Sequence, residues 1–228
     1  MKGFKKKILI FTFIFMPITF SLGLWQLDRA EEKKEILEQF NSLVTQPPVD
    51  INQGEIKNWQ PITAEGNFVD TYIYEDNALL EGRAGFKIYH LFHTKANKYI
   101  FVHRGFLERN SIKNNLPKVS SPSGTMKLLG NKLEKNKNPF VDNRAEETPL
   151  IIQEFDLEVI VERFDVLKDK EIHNFLFNLE PSSEIKFKSI EKPINMTSEK
   201  HIGYAIQWFG LFAILLVMTL YIGLKKNE

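Results

Sequence analysis

The longest apolar runs of the chain lie near its two ends. Residues 8–27 (ILIFTFIFMPITFSLGLWQL) contain no charged side chain, and neither do residues 202–224 (IGYAIQWFGLFAILLVMTLYIGL). A helix needs about 20 apolar residues to cross the hydrocarbon core of a bilayer, so each run is long enough to span it. The pattern therefore predicts transmembrane helices at residues 8–27 and 201–224, with residues 28–200 between them on one face of the membrane.

The hydrophobic period changes between the two predicted helices. Residues 28–43 keep helical spacing and continue the first helix until Pro47 and Pro48 stop it. Residues 82–85 are predicted to form a turn, and Asp156 to cap a short helix over residues 156–164. Aromatic, β-branched and alternating runs predict strands at residues 68–74, 86–93, 99–107, 126–133, 150–155, 173–179 and 185–190. We therefore expect two transmembrane α-helices flanking one extracytoplasmic β-rich α+β domain, built as an antiparallel sheet or a partial barrel.

Two of the predicted strands form a hairpin around a four-residue loop, residues 95–98. Counting back from this loop sets His90 opposite His103, with their Cβ atoms about 5 Å apart, close enough to share a metal ion. The alternative is that both histidines are ordinary strand residues, and a shift of one residue in the register would separate them. An anchored extracytoplasmic enzyme or metal carrier that uses this pair is a further alternative.

The basic residues next to the apolar runs predict the orientation of the chain. Four lysines precede the first run and two follow the second, and lysines next to a membrane span stay in the cytoplasm. We expect cytoplasmic tails at residues 1–7 and 225–228 and a periplasmic domain at residues 28–200. That domain has 24 basic and 28 acidic residues, a net charge of −4 that gives no reason to expect nucleic-acid binding.

Targeting signals bear on the same expectation. A cleaved signal peptide is the alternative for the first run, but its apolar part would cover about 7–15 residues and end at small residues. Here the run is longer and ends in Gly23-Leu24-Trp25-Gln26. No Arg-rich and Ser-rich presequence precedes it, which favours a bacterial inner membrane over an imported organellar protein.

The residue types and motifs of the chain argue against several kinds of chemistry. The chain has no cysteine, which removes disulfides, thiolate metal sites and cysteine nucleophiles together. It also lacks the G-x-S-x-G, G-x-x-x-x-G-K, G-x-G-x-x-G and H-E-x-x-H motifs of common enzyme classes. A hydrolase or a transferase stays open as an alternative, but no motif of the chain argues for either.

One group of candidate ligand residues lies where both predicted helices meet the outer surface of the membrane. His201 begins the second helix, and Tyr204 and Trp208 follow it on one helical stripe, while Trp25 and Arg29 end the first helix. An imidazole, a guanidinium and two indoles at one depth suit a haem, with the imidazole as axial ligand and the guanidinium paired to a propionate. The alternative is an ordinary belt of aromatic residues at the membrane interface.

Motifs spread over nearly the whole chain resemble, in the same order, those of the surfeit locus protein 1 family of cytochrome oxidase assembly factors. They are residues 22–29 (LGLWQLDR) with Lys33, residues 82–86 (GRAGF) with residues 101–106 (FVHRGF), residues 139–143 (PFVDN) and residues 201–209 (HIGYAIQWF). The chain departs from the family pattern at residues 199–200, at Gln207 and at His103. These departures leave the His, Tyr, Trp and Phe of the last motif in place.

The resemblance implies a non-catalytic role in building a haem-copper terminal oxidase, so the chain is expected not to be an enzyme. It implies help with the insertion of haem a into the catalytic subunit, through transient binding of the haem iron by His201, with Tyr204, Trp208, Trp25 and Arg29 as further cofactor-binding residues. The expected partners are the catalytic subunit, the lipid bilayer and, as a further candidate, haem a synthase. The alternative is a membrane scaffold that binds the catalytic subunit and carries no haem.

Overall fold

The computed structural model describes residues 2–109, 116–135, 141 and 151–224. The predicted tail 225–228 and all of the 139–143 motif except Val141 lie outside these residues. The chain divides into two compact units. We call Met1–Asn41 with Lys192–Glu228 the helical unit, and Ser42–Glu191 the barrel unit.

Two long helices make up most of the helical unit. Helix α1 runs over Lys2–Val44, so the predicted continuation of the first apolar helix is confirmed. The C-terminal helix runs over Ser198–Leu224. By length and composition, both helices could cross a membrane, which supports membrane association of the chain.

The two long helices pack through small residues. The buried positions of the first helix include Thr12, Thr19, Gly23 and Ala30, which recur at intervals of seven and four residues on one face. The C-terminal helix faces them with Ala205, which is 1% exposed. A Cβ atom on Gly23 would lie 2.6 Å from the ring of Phe209, so glycine allows this ring to approach the backbone of α1.

The barrel unit is built on a mixed β-sheet. Its strands are β1 (Val49–Asp50), β2 (Pro61–Leu80), β3 (Arg83–Thr94), β4 (Tyr99–Glu108), β5 (Met126–Leu133), β6 (Ile151–Ile152) and β7 (Ile172–Leu179). The hydrogen-bonded path from β2 through β3, β4, β7 and β5 returns to β2, because the first residues of β2 pair with β5 and the rest with β3. The expected β-rich domain with barrel character is therefore confirmed, although β1 and β6 run parallel to β2, and β7 parallel to β4.

The described residues of this unit form three hydrophobic clusters, and two of them are large. One contains Phe92, Val102 and Phe177 from neighbouring strands, and the other contains Tyr89 and Phe101. The second cluster is covered by the short helix α2 (Leu157–Arg163), and we label the C-terminal helix α3. The predicted cap of α2 is confirmed, because the side chain of Asp156 accepts a hydrogen bond from the Glu158 amide.

The hairpin of β3 and β4 differs from its predicted register by one residue. Asn97 has a φ of +61° and its amide bonds the Thr94 carbonyl, so this left-handed residue completes a turn that closes on Lys98. As a result His90 lies opposite Val102, and His103 lies opposite Tyr89. The predicted pairing of His90 with His103 is therefore wrong, and the two imidazoles lie on opposite faces of the sheet.

Three further local predictions need correction. Residues 185–190 do not form a strand, because their only ladder contact is an isolated bridge from Lys188 to Phe106. Strand β2 begins at Pro61 rather than at residue 68. The predicted turn at residues 82–85 is narrower and lies earlier: Glu81 and Gly82 have positive φ angles and form the two-residue turn, and β3 already begins at Arg83.

Gly105 on β4 provides a test of how segment 185–190 is fixed. Its φ is +106°, and a Cβ atom there would lie 2.5 Å from the backbone oxygen of Lys188. Gly105→Ala should therefore lower the free energy of unfolding by about 2–3 kcal/mol, measured by urea unfolding of the full chain in detergent and followed by β-sheet circular dichroism. Gly54→Ala is the matched control, because Gly54 also has a positive φ but open space around it. Equal losses in the two variants would contradict the steric explanation.

Candidate functional site

His201 lies in the first turn of α3, on the face of that helix that meets α1. Its amide donates a hydrogen bond to the Thr197 carbonyl, in the first turn of the helix. The residue is only 8% exposed. Nδ1 of His201 lies 2.7 Å from Oε1 of Gln26 on α1. Because an amide oxygen only accepts hydrogen bonds, Nδ1 carries the proton and donates it, and Nε2 carries the lone pair.

The structure distributes the other predicted site residues over two surfaces. Trp208 lies two turns beyond His201 on the same stripe and is partly buried. Trp25 and Tyr204 are 48% and 43% exposed, so both turn away from the contact between the helices. The guanidinium carbon of Arg29 lies 6.0 Å from the centre of the Trp25 ring, so these two predicted residues do meet.

Arg29 has one donor available at this end of the helix pair. Its terminal nitrogen pairs with Glu32 at 2.6 Å, and the other oxygen of Glu32 bonds Lys33 at 2.9 Å. Nε of Arg29 is buried and has no hydrogen-bond partner among the described residues. An unpaired buried donor is costly in the isolated protein, and this N–H is free to donate a hydrogen bond to the carboxylate of a ligand.

Gln26 is the hydrogen-bond partner of His201, and the predicted site omits it. It belongs to the LGLWQLDR motif, yet its side chain has no charge or metal-binding group to draw attention to it. Its position in the sequence is informative, because it follows Thr19 by seven residues and Gly23 by three, and both of these are buried. The heptad spacing therefore places Gln26 on the face of α1 that carries the helix contact.

His90 and His103 belong to separate polar clusters in the barrel unit. Nε2 of His90 lies 2.9 Å from the Val69 carbonyl and Nδ1 lies 3.2 Å from Arg104, so both ring nitrogens have partners. Nδ1 of His103 lies 3.1 Å from Oδ1 of Asn178. The described residues contain no cluster of three or more histidine or acidic side chains that could hold a metal ion. Neither histidine therefore supports a metal carrier.

The cluster around His103 is charged and nearly enclosed. Glu75 pairs with Lys135 at 2.8 Å, and Lys87 pairs with Glu191 at 2.8 Å. Nε2 of His103 lies 4.0 Å from Oε1 of Glu191. Burial lowers the pKa of His103 to about 4, and although Glu191 raises this pKa and nearby lysines lower it further, the net result keeps the imidazole neutral at pH 7.

Acid should destabilise the barrel unit through this buried imidazole. Between pH 6.5 and 4 the unfolded chain binds a proton at His103 that the folded chain does not, so the free energy of unfolding falls as the pH is lowered. The loss from His103 alone should reach about 3 kcal/mol at pH 4. His103→Asn, which keeps a donor for Asn178 but cannot titrate, should give a shallower decline in urea unfolding of the full chain. An unchanged pH dependence would contradict this assignment.

Comparisons with known proteins identify the family. A sequence profile described as the SURF1 family matches residues 13–213. A SURF1-like protein of Rickettsia felis is 30% identical, over 94% of this chain and 95% of that protein. A SURF1-like protein of Rickettsia conorii is 26% identical, over 90% of this chain and 87% of that protein. Surfeit locus protein 1 of Rattus norvegicus is 26% identical, over 88% of this chain and 71% of that protein. The chain therefore belongs to the SURF1 family.

Proposed function

We propose that this chain binds haem a transiently through His201 and transfers it to the catalytic subunit of a haem-copper oxidase during assembly. Its family is one of oxidase assembly factors rather than enzymes, and its two apolar helices fit a protein that works at a membrane. One observation supports haem binding most directly. His201 is nearly buried between two apolar helices, and its hydrogen bond to Gln26 leaves Nε2 with a lone pair.

The state of the imidazole matches that of a metal ligand. Histidines that bind metals coordinate through a neutral ring nitrogen and usually donate the other ring N–H to a carbonyl or carboxylate. The Gln26 amide oxygen supplies such an acceptor at 2.7 Å. His201 would hold the haem through a ring nitrogen, and the haem would supply the iron that this nitrogen ligates. Nε2 of His201 is the nitrogen that fits this role.

The surroundings of His201 suit a flat apolar ligand with carboxylates at its edge. Ala205 lies one turn below His201, and Trp208 follows on the same stripe with an indole that can pack on a macrocycle. Arg29 is close in sequence to Gln26 and has its buried Nε available for a propionate. Trp25 contacts that guanidinium, and Tyr204 is the most exposed of the predicted residues of α3.

The proposed location follows from the charges next to the apolar helices. The lysines before α1 and after α3 favour cytoplasmic termini, so the barrel unit would lie in the periplasm of a bacterial inner membrane. His201 would then sit at the outer surface of the bilayer. Haem a synthase is the candidate donor of haem a there, and the oxidase catalytic subunit is the candidate acceptor.

His201→Ala should abolish the binding of haem because it removes the axial ligand. The full chain would be expressed in a host that makes haem a, purified in mild detergent and examined by absorption spectroscopy. We expect a Soret band in the wild type that is lost in His201→Ala. His93→Ala is the matched control, because His93 lies on β3 in the barrel unit, where its Nε2 bonds Asn97.

The same preparations distinguish haem transfer from the scaffold alternative. A Soret band of equal strength in His201→Ala would contradict the proposed ligand. If no form shows the band while the oxidase catalytic subunit still co-purifies, the chain acts as a scaffold and His201 serves the helix contact alone.

Arg29→Gln should weaken haem binding without abolishing it. The side chain of Arg29 is 43% exposed, so the loss of one charge-assisted contact should lower the affinity about three- to tenfold. Titration of the purified apoprotein with haem measures this change. Lys34→Gln is the matched control, because Lys34 lies on the same helix and pairs with Glu31. An equal weakening in both variants would show that only the overall charge of this region matters.

A further inference from the structure

The contact between Gln26 and His201 joins side chains that are 175 positions apart in sequence. It is also a hydrogen bond between the two long helices, at a position where His201 is 8% exposed. A polar pair of this kind orders both side chains, and losing Gln26 leaves a nearly buried imidazole without its hydrogen bond. The contact therefore has consequences for the state of the imidazole as well as for the helix packing.

We propose that Gln26 is a positioning residue that holds His201 in the Nδ1–H tautomer and so directs the lone pair of Nε2 away from α1. The role in iron ligation rests on the function proposed above, but the tautomer itself is a property of the protein without haem. The observation that supports this proposal is the 2.7 Å distance between Nδ1 of His201 and Oε1 of Gln26.

The geometry makes Gln26 the partner that decides the tautomer. In a neutral imidazole one ring nitrogen carries the proton and the other accepts, and the choice follows the hydrogen bond that either nitrogen makes. The one hydrogen bond described for the His201 ring joins Nδ1 to an amide oxygen. With that acceptor removed, nothing described in the helical unit retains the proton on Nδ1.

The packing around Gln26 keeps the amide within reach. Gly23 lies one turn before it and lets the Phe209 ring approach the backbone of α1, and Ala30 lies one turn after it and is 5% exposed. On the other helix Ala205 is 1% exposed, one turn beyond His201. Small residues thus flank the hydrogen bond on both helices, and their size allows two short side chains to meet across the contact.

The acceptor should also influence a bound iron. A hydrogen bond from Nδ1–H increases the electron donation of Nε2, and the loss of such a hydrogen-bond partner of a ligand changes metal affinity about 10- to 100-fold. A carboxylate in place of the amide would accept the same proton more strongly. It should therefore keep the tautomer and lower the reduction potential of the bound haem.

The first test uses the apoprotein. Full-length protein labelled with nitrogen-15 at its histidine rings would be studied by NMR in detergent micelles. The chain has five histidines, so comparison with His201→Ala assigns the signals of His201. We expect a protonated Nδ1 and an unprotonated Nε2 in the wild type and in Gln26→Glu. In Gln26→Leu we expect the proton to move at least in part to Nε2.

The matched control is another glutamine of the same helix pair. Gln207 lies on α3 and is exposed, so Gln207→Leu removes an amide of the same size without touching His201. This variant should keep the wild-type ring signals. A wild-type spectrum with the proton on Nε2, or an unchanged tautomer in Gln26→Leu, would overturn the proposal whatever the protein does with haem.

The second test adds haem and separates this inference from the proposed function. If the wild type binds haem, Gln26→Leu should bind it at least tenfold more weakly, Gln26→Glu should bind it with a lower midpoint potential, and Gln207→Leu should match the wild type. Unaltered affinity in Gln26→Leu and unaltered potential in Gln26→Glu would overturn the positioning role. Failure of the wild type to bind haem would refute the proposed function and leave the tautomer result standing.

Discussion

The close contact between two apolar helices is the constraint on which the candidate site depends. Helices in a lipid environment gain little from the hydrophobic effect between them, so they associate through tight packing and a few hydrogen bonds. Here small side chains, with Gly23 under the Phe209 ring and Ala205 opposite α1, supply the packing. Gln26 and His201 supply the hydrogen bond at one end of it. A bulkier interface would separate the two polar side chains, and an imidazole left without its acceptor would have no defined tautomer.

Much of this arrangement is predictable from sequence because it depends on composition and helical periodicity. Uncharged runs of twenty residues predict both long helices, and the position of His201 at the start of α3 follows from the same pattern. The pairing of His201 with Gln26 is harder to predict, since it depends on how two helices far apart in sequence are rotated about their axes. The buried positions Thr19 and Gly23 show which side of α1 faces inward. The sequence of α1 alone does not reveal this, because it does not say which helix packs there.

The barrel unit shows where such prediction fails for a physical reason. Most of its strands are recognisable, yet one left-handed residue, Asn97, shifts the β3–β4 register by one position. Since side chains alternate between the faces of a sheet, that shift separates His90 from His103 completely. The closure of the barrel is also hard to predict from the sequence, because β2 pairs with β5 along its first residues and with β3 along the rest. Nothing local in the sequence marks where β2 changes its partner.

The motifs of the family divide by what their side chains touch. In the central RG motif, Arg104 is 2% exposed and donates hydrogen bonds to the carbonyls of Ile185 and Ser120, so it ties two loops to β4. Gly105 beside it allows segment 185–190 to approach the strand. These residues serve the fold of the barrel unit, and their presence in a family motif is explained without any ligand.

The motif of α3 has a different distribution. His201, Ala205 and Trp208 lie on or beside the contact with α1, whereas the departures from the family pattern, at Glu199, Lys200 and Gln207, are all exposed. Replacing exposed residues leaves the helix contact and the His201 hydrogen bond unchanged, so these departures do not weaken the case for a ligand at His201. Tyr204 is a motif residue that is 43% exposed, so its side chain faces away from the contact with α1. The same helix thus has one face that packs on α1 and another that is open, and residues of the family motif lie on both faces.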